Sequence, residues 1–166
     1  MKMEFFQLIG LQAAAIAAFK EKSMKNRLTG FGFLLAGSVN IAGILLFSKL
    51  FTNDLMQSLD PAVFSNVGIA SIILWGMAYL SVRDRFQAAP QIVGVFMVEK
   101  FFYAAVWGQW IFHHWKDLGN VYQEDLITGL FFSVYGLNDF LFGVFFLIVF
   151  ISCTRKGESD DPVVRI

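Results

Sequence analysis

The run LITGLFFSVYGLNDFLFGVFFLIVFISC occupies residues 126–153 and contains a single charged side chain, Asp139. A helix rises about 1.5 Å per residue, so this run is long enough to cross the ~30 Å of hydrocarbon in a bilayer. A strand reading fails, because the apolar residues show no sustained period of two. A segment covered by lipid must also satisfy its own backbone hydrogen bonds, which a helix does. The run predicts a membrane-spanning helix.

Three comparable stretches precede it. They are Leu28 to Phe51, Ala62 to Val82 after the turn pair Asp60-Pro61, and Pro90 to Phe112. Pro90 falls in the first helical turn, where its missing N–H costs nothing. Composition agrees: hydrophobic residues make up 57% and charged residues 16%, with 20 Phe. A soluble domain averages roughly 45–50% and 25%, so this chain has more apolar surface than a core of its size can hide. The expected fold is an all-α membrane protein, an antiparallel four-helix transmembrane bundle over residues 28–153 covered by the lipid bilayer.

Residues 1–27 predict an interfacial amphipathic helix and a basic linker. Phe5, Leu8, Ile9, Ile16 and Phe19 share one side at about 100° per residue, interrupted by Gln12. A cleaved signal peptide and a short fifth crossing are the alternatives; Glu4, Gln7 and Gln12 weigh against the first. Residues 154–166 are polar and are expected to form a mobile cytoplasmic tail.

Orientation follows from the basic residues near the helix ends. Lys20, Lys22, Lys25, Arg27, Arg83, Arg85, Arg155 and Lys156 flank one side, eight in all, against Lys49 and Lys116 on the other. Both termini are therefore expected in the cytoplasm, which for a bacterial chain means the inner (cell) membrane. Net charge is zero, so nothing argues for a nucleic-acid partner. One cysteine, Cys153, excludes an internal disulfide.

Polar residues at membrane depth carry the functional argument. Glu99 and Lys100 fall near the middle of the third stretch, Asp139 near the middle of the fourth and Asn40 near the middle of the first. A charge there costs at least ~2.5–3.5 kcal/mol, so such residues face protein or water and find partners. Helical periodicity puts Ile92, Phe96, Glu99, Tyr103 and Trp110 on one face, and Thr128, Phe132, Tyr135, Asp139 and Phe146 on another. Gly129, Gly136 and Gly143 lie beside the latter at a spacing of seven, and Gly37 lies near Asn40. Small residues in such a stripe let helices approach closely. Lys100 is expected to pair with Asp139 across two helices or with its neighbour Glu99. Asn40, Tyr103 and Tyr135 complete the expected polar cluster. It reads either as an ion-pair lock on the bundle or as a proton relay or ligand wall.

Other motifs are weaker. His113 and Asp117 have the i, i+4 spacing of two metal ligands, but Trp110 and Trp115 around them read as an interfacial aromatic belt. Cys153 reads as a small apolar residue rather than an acylation site. No phosphate loop, catalytic triad or haem motif is present, so the sequence names no catalytic residue, metal or cofactor.

The four-span layout over residues 28–150, with the opening Arg27-Leu-Thr-Gly-Phe-Gly-Phe-Leu-Leu-Ala-Gly37, resembles the DoxX-like group of small membrane proteins. That resemblance implies a four-helix membrane fold; the group includes a subunit of an archaeal thiosulfate:quinone oxidoreductase. Three functions are expected. The first is a non-catalytic subunit or assembly factor that joins other membrane subunits. The second is a small proton-coupled transporter, working as a homo-oligomer and using Glu99, Lys100 and Asp139. The third is a quinone- or lipid-binding membrane enzyme subunit built around Tyr103, Trp107 and Asp139.

Overall fold

The first apolar stretch begins inside a helix that starts far upstream of it. The computed structural model describes the backbone of residues 2–160 and the side-chain surroundings of residues 16–155. Helix α1 runs Lys2–Ser38. A π-helical turn, Val39–Gly43, continues it into α2, Ile44–Phe47. The linker expected before Leu28 is absent: residues 20–27 are helical, and their Lys, Glu, Met and Arg are good helix formers with no Pro or Gly among them. The expected apolar side at Phe5, Leu8 and Ile9 lies outside the residues whose side chains are described.

This first rod ends at Phe47 rather than Phe51. Lys49, Leu50 and Phe51 adopt φ of 50°, 56° and 72°, a left-handed run that costs roughly 1–2 kcal/mol per residue. Local bonds hold it. Leu50 N–H donates to Leu45 O at 2.9 Å, and Phe51 N–H donates to the Ser48 hydroxyl at 3.2 Å.

The second stretch divides. Helix α3, Asp54–Leu59, is capped by Asn53, whose side chain accepts from Met56 N–H. Helix α4, Pro61–Phe64, is capped by Asp60, which accepts from Val63 N–H. Ser65 then turns extended, at ψ 162°, and caps α5, Asn66–Val82, by accepting from Gly68 N–H. The apolar helix expected from Ala62 therefore starts at Asn66. A 3₁₀ turn, Phe86–Ala88, leads into α6, Pro90–His114. Helix α7, Leu118–Glu124, precedes α8, Leu126–Asp160. The polar tail expected from residue 154 is helical through Asp160, and residues 161–166 lie outside the described chain.

The described residues are all-helical, with no strand. Ile16–Phe47 and Leu126–Arg155 are long and apolar enough to cross a membrane, and Asn66–Val82 is a shorter apolar helix. Helix α6 packs most extensively on α8, and α1 on α5. Glycine sets the second contact. A Cβ on Gly37 would lie 2.8 Å from Gly76 O and 2.7 Å from Leu80 Cγ, so α1 and α5 touch backbone to backbone.

Two aromatic layers form the core. One joins Phe33, Tyr79, Phe96 and Phe146, with Tyr79 and Phe96 edge to face at 4.7 Å. The other joins Phe64, Trp110, Phe131, Phe132 and Tyr135, with Phe64 and Tyr135 edge to face at 5.2 Å. Such pairs add roughly 0.5–1.5 kcal/mol beyond the area they bury. The short helices close the second layer. Asn53 Nδ2 donates to Phe47 O and to Thr128 Oγ1, both at 2.8 Å, and Trp110 Nε1 donates to Leu59 O at 3.1 Å. At the opposite end, Gln87 Nε2 donates to Asn26 Oδ1 at 2.7 Å, which ties the α5–α6 turn to the first helix.

Candidate functional site

Each main helix carries its polar residues between the segments that feed the two aromatic layers. On α6, Glu99 and Lys100 fall between Phe96 and Trp110; on α8, Asp139 falls between Tyr135 and Phe146. Asn40 sits in the π-helical turn, between Ala36 and Ile44. A polar belt therefore lies between two greasy layers.

The belt is a connected network. Lys100 Nζ donates to Asp139 Oδ1 at 2.5 Å and to Asn40 Oδ1 at 2.9 Å. Asn40 Nδ2 donates in turn to Ile72 O on α5 at 3.3 Å. Glu99 Oε1 stands 4.0 Å from Lys100 Nζ, and Glu99 Oε2 accepts the hydroxyl of Tyr79. Lys100 Nζ also lies 5.5 Å from the centre of the Tyr79 ring, within cation–π range. Lys100, Asp139, Glu99 and Asn40 are 2%, 8%, 8% and 5% exposed, so the ammonium and the two carboxylates are shielded from bulk solvent.

The packing glycines lie where the neighbouring helices come closest. A Cβ on Gly136 would overlap the Trp107 side chain, and one on Gly143 would lie 2.8 Å from Phe101 Cε1, both on α6. Gly129 faces Tyr122 of α7, with Cγ at 2.7 Å. With Gly136 bare, Trp107 lies across α8 and donates Nε1–H to Phe132 O at 2.7 Å. Thr128, Phe132, Tyr135, Asp139 and Phe146 are all buried. On α6 the expected inward face shifts by one residue at its start: Ile92 is exposed, and Val93 is buried in its place.

Tyr79 belongs to this site although no sequence pattern marks it. It is fully buried on α5, and among the described residues its hydroxyl is the one group that hydrogen-bonds Glu99 from another helix. The signal available was an isolated tyrosine in a very apolar helix. The π turn at Asn40 was also invisible; such turns interrupt helices at functional positions more often than elsewhere.

A cavity of about 180 Å³ opens beside the network. Its polar wall is Asn40, Glu99, Lys100, Tyr103, Tyr135, Asn138 and Asp139, and Phe47, Phe64 and Phe131 supply rings. Two polar atoms of this wall are buried without a hydrogen-bond partner, Tyr135 Oη and Glu99 Oε1. Gly43 lines the same space and meets only Val39 Cγ1, 3.8 Å from an added Cβ.

The weaker motifs settle elsewhere. His113 Nδ1 pairs with Gln109 O at 2.7 Å and His114 Nδ1 with Trp110 O at 3.0 Å, each one turn back on α6. Among the described residues no group of three His, Cys, Asp or Glu side chains comes together. Cys153 is buried in the first aromatic layer. No family model, curated protein or solved structure matches this chain.

Proposed function

We propose that this is a multi-pass membrane protein with four spans, both ends cytoplasmic, whose mid-bundle cavity binds a small lipophilic molecule through a polar group. The observation that carries the reading is the pair of orphaned atoms, Tyr135 Oη and Glu99 Oε1, on the wall of one cavity. Leaving a buried polar group unpaired costs about 1–3 kcal/mol, which a ligand's polar group would recover. A cavity near 150 Å³ admits a benzene-sized guest, so about 180 Å³ suits a small ring or branched head. An ion-pair lock alone, as an assembly factor would need, has no use for a cavity beside it.

The four-span topology rests on length and burial. Helix α6 has 25 residues, enough to cross, and turns Glu99 and Lys100 inward. Helix α5 has 17, at the short end of the range that spans a bilayer. Exposed Leu, Ile, Val and Phe side chains such as Leu46, Leu74, Phe102 and Leu141 suit a lipid-facing surface. We propose a DoxX-like fold for the bundle, with ligand binding rather than assembly alone as its role.

Purification of the full chain in native lipid discs, followed by mass spectrometry of bound small molecules, tests the cavity. Gly43→Leu is the matched variant, because Gly43 lines the cavity and has room for a side chain. The expected result is a molecule retained by the parent and depleted in Gly43→Leu at unchanged melting temperature. Identical small-molecule content in both would overturn the reading.

A further inference from the structure

Resting on the cavity reading above, we propose that the site takes a small monovalent organic cation, which enters in exchange for a proton held on Glu99. Glu99 and Asp139 contribute two negative charges when ionised and Lys100 one positive, all less than a tenth exposed. Lys100 is the one cationic side chain among the described residues that line the cavity. The cluster is therefore one positive charge short of neutral, at a depth where an uncompensated charge is costly.

Geometry places the deficit on Glu99. Asp139 Oδ1 takes the Lys100 ammonium at 2.5 Å, and Asn40 Oδ1 takes a second of its protons. On Glu99, Oε2 accepts from Tyr79, whereas Oε1 has no hydrogen bond and stands 4.0 Å from Lys100 Nζ. The remaining polar groups on the cavity wall are Tyr103 on α6 and Tyr135 and Asn138 on α8, which can donate hydrogen bonds but bring no positive charge. A proton on Oε1 makes the empty site neutral.

The rest of the cavity wall selects what can replace that proton. Phe47, Phe64, Phe131, Tyr103 and Tyr135 surround it with aromatic rings, and Phe131 and Tyr135 stack at 4.8 Å. Ring faces attract an ammonium, more so when it is desolvated. Aromatic walls beside one surplus carboxylate recognise an apolar cation; a neutral or anionic head gains nothing from that charge. On binding, the O–H bond at Glu99 Oε1 breaks and the proton leaves to water. The carboxylate keeps the electron pair and faces the ligand's positive charge. One positive charge enters and one leaves, so the site stays neutral.

The test uses the full chain in lipid nanodiscs with phenyltrimethylammonium and its neutral isostere, tert-butylbenzene. Calorimetry in two buffers of different ionisation enthalpy counts the protons released. The expected result is binding of the cation with release of about one proton, and affinity falling about tenfold per pH unit of acidification while Glu99 is protonated. Glu99→Gln should release no proton and bind at least about tenfold more weakly, because the bound site would then carry a net positive charge. Cation binding without proton release, or undiminished binding by Glu99→Gln, overturns the proposal. Preferential binding of tert-butylbenzene, or binding of neither probe, overturns the cation inference; the cavity reading stands or falls separately on the small-molecule content of the parent and Gly43→Leu. If Glu99→Gln fails to fold, the proton count on the unaltered protein still decides.

Discussion

Lys100 on α6 and Asp139 on α8 meet at 2.5 Å, Nζ to Oδ1, in the middle of the most extensive helix pair of the bundle. Removing one partner leaves the other buried without its counter-charge. Lys100→Met is expected to destabilise by about 3–5 kcal/mol, and Asp139→Asn similarly. The double variant should cost less than the two together, with a coupling of roughly 1–3 kcal/mol. Reversible unfolding in detergent or bilayer measures the cycle; additive effects would reject a direct pair.

The glycine contacts make a second prediction with its own control. Gly136→Leu and Gly143→Leu push side chains into Trp107 and Phe101, so each should lose about 1–3 kcal/mol. Gly108 and Gly119 have nothing within 4 Å of an added Cβ. Gly108→Ala, within α6, should instead be neutral or stabilising by up to about 1 kcal/mol. Thermal unfolding of the three variants reads the difference, and equal melting temperatures would place α8 in a different rotation.

At the end of the first helix Lys49 pairs with Asp125, which also accepts from Thr128 N–H at 3.1 Å as the cap of α8. The Lys49 ammonium, followed by the Thr128 N–H, holds the Asp125 carboxyl below the usual carboxylate range. Its folded pKa is lowered, so the unfolded chain takes up the proton first as pH falls. The stabilisation is fully present above the unfolded pKa and is lost as pH drops through the folded one. Asp125→Asn should therefore flatten the acid limb of the stability profile. An exposed pair is worth about 1 kcal/mol or less, and salt should weaken it. An unchanged acid limb in Asp125→Asn would show that the pair does not form in solution.

Topology is open to a labelling test at exposed positions. Met56 and Phe86 are buried, so neighbouring Ser58 and Gln87 serve as reporters. In a Cys153→Ala background, Ser58→Cys and Asn120→Cys should react with a membrane-impermeant maleimide added outside cells. Gln87→Cys should react only after permeabilisation. Labelling of Gln87→Cys in intact cells would invert the bundle.

Much of the local structure was legible from residue order. Pro90 marks the start of α6, and the apolar run from Leu126 marks the start of α8, because proline geometry and apolar length act within one segment. The residue sets facing inward on α8 followed from a period of about 3.6 residues, a property of one helix. Interruptions were less legible. Ser65 caps a new helix inside an apolar run because its hydroxyl reaches Gly68 N–H, and residues 20–27 stay helical despite their charge.

The candidate site divides the same way. Asn40, Glu99, Lys100 and Asp139 could be named from sequence because a polar side chain in a long apolar run is costly wherever its helix packs. Tyr79 could not, since its role depends on α5 standing beside α6 at the depth of Glu99. The π turn that aims Asn40 at Lys100, the cavity beside it and the two orphaned oxygens likewise depend on which helices are neighbours and how they are rotated. Sequence by itself determined that the chain is helical and which polar residues sit in its long apolar runs, because periodicity and hydropathy are local. Only the tertiary structure decided which of those residues meet and where space is left between them, because contacts across helices arise from packing that no single segment encodes.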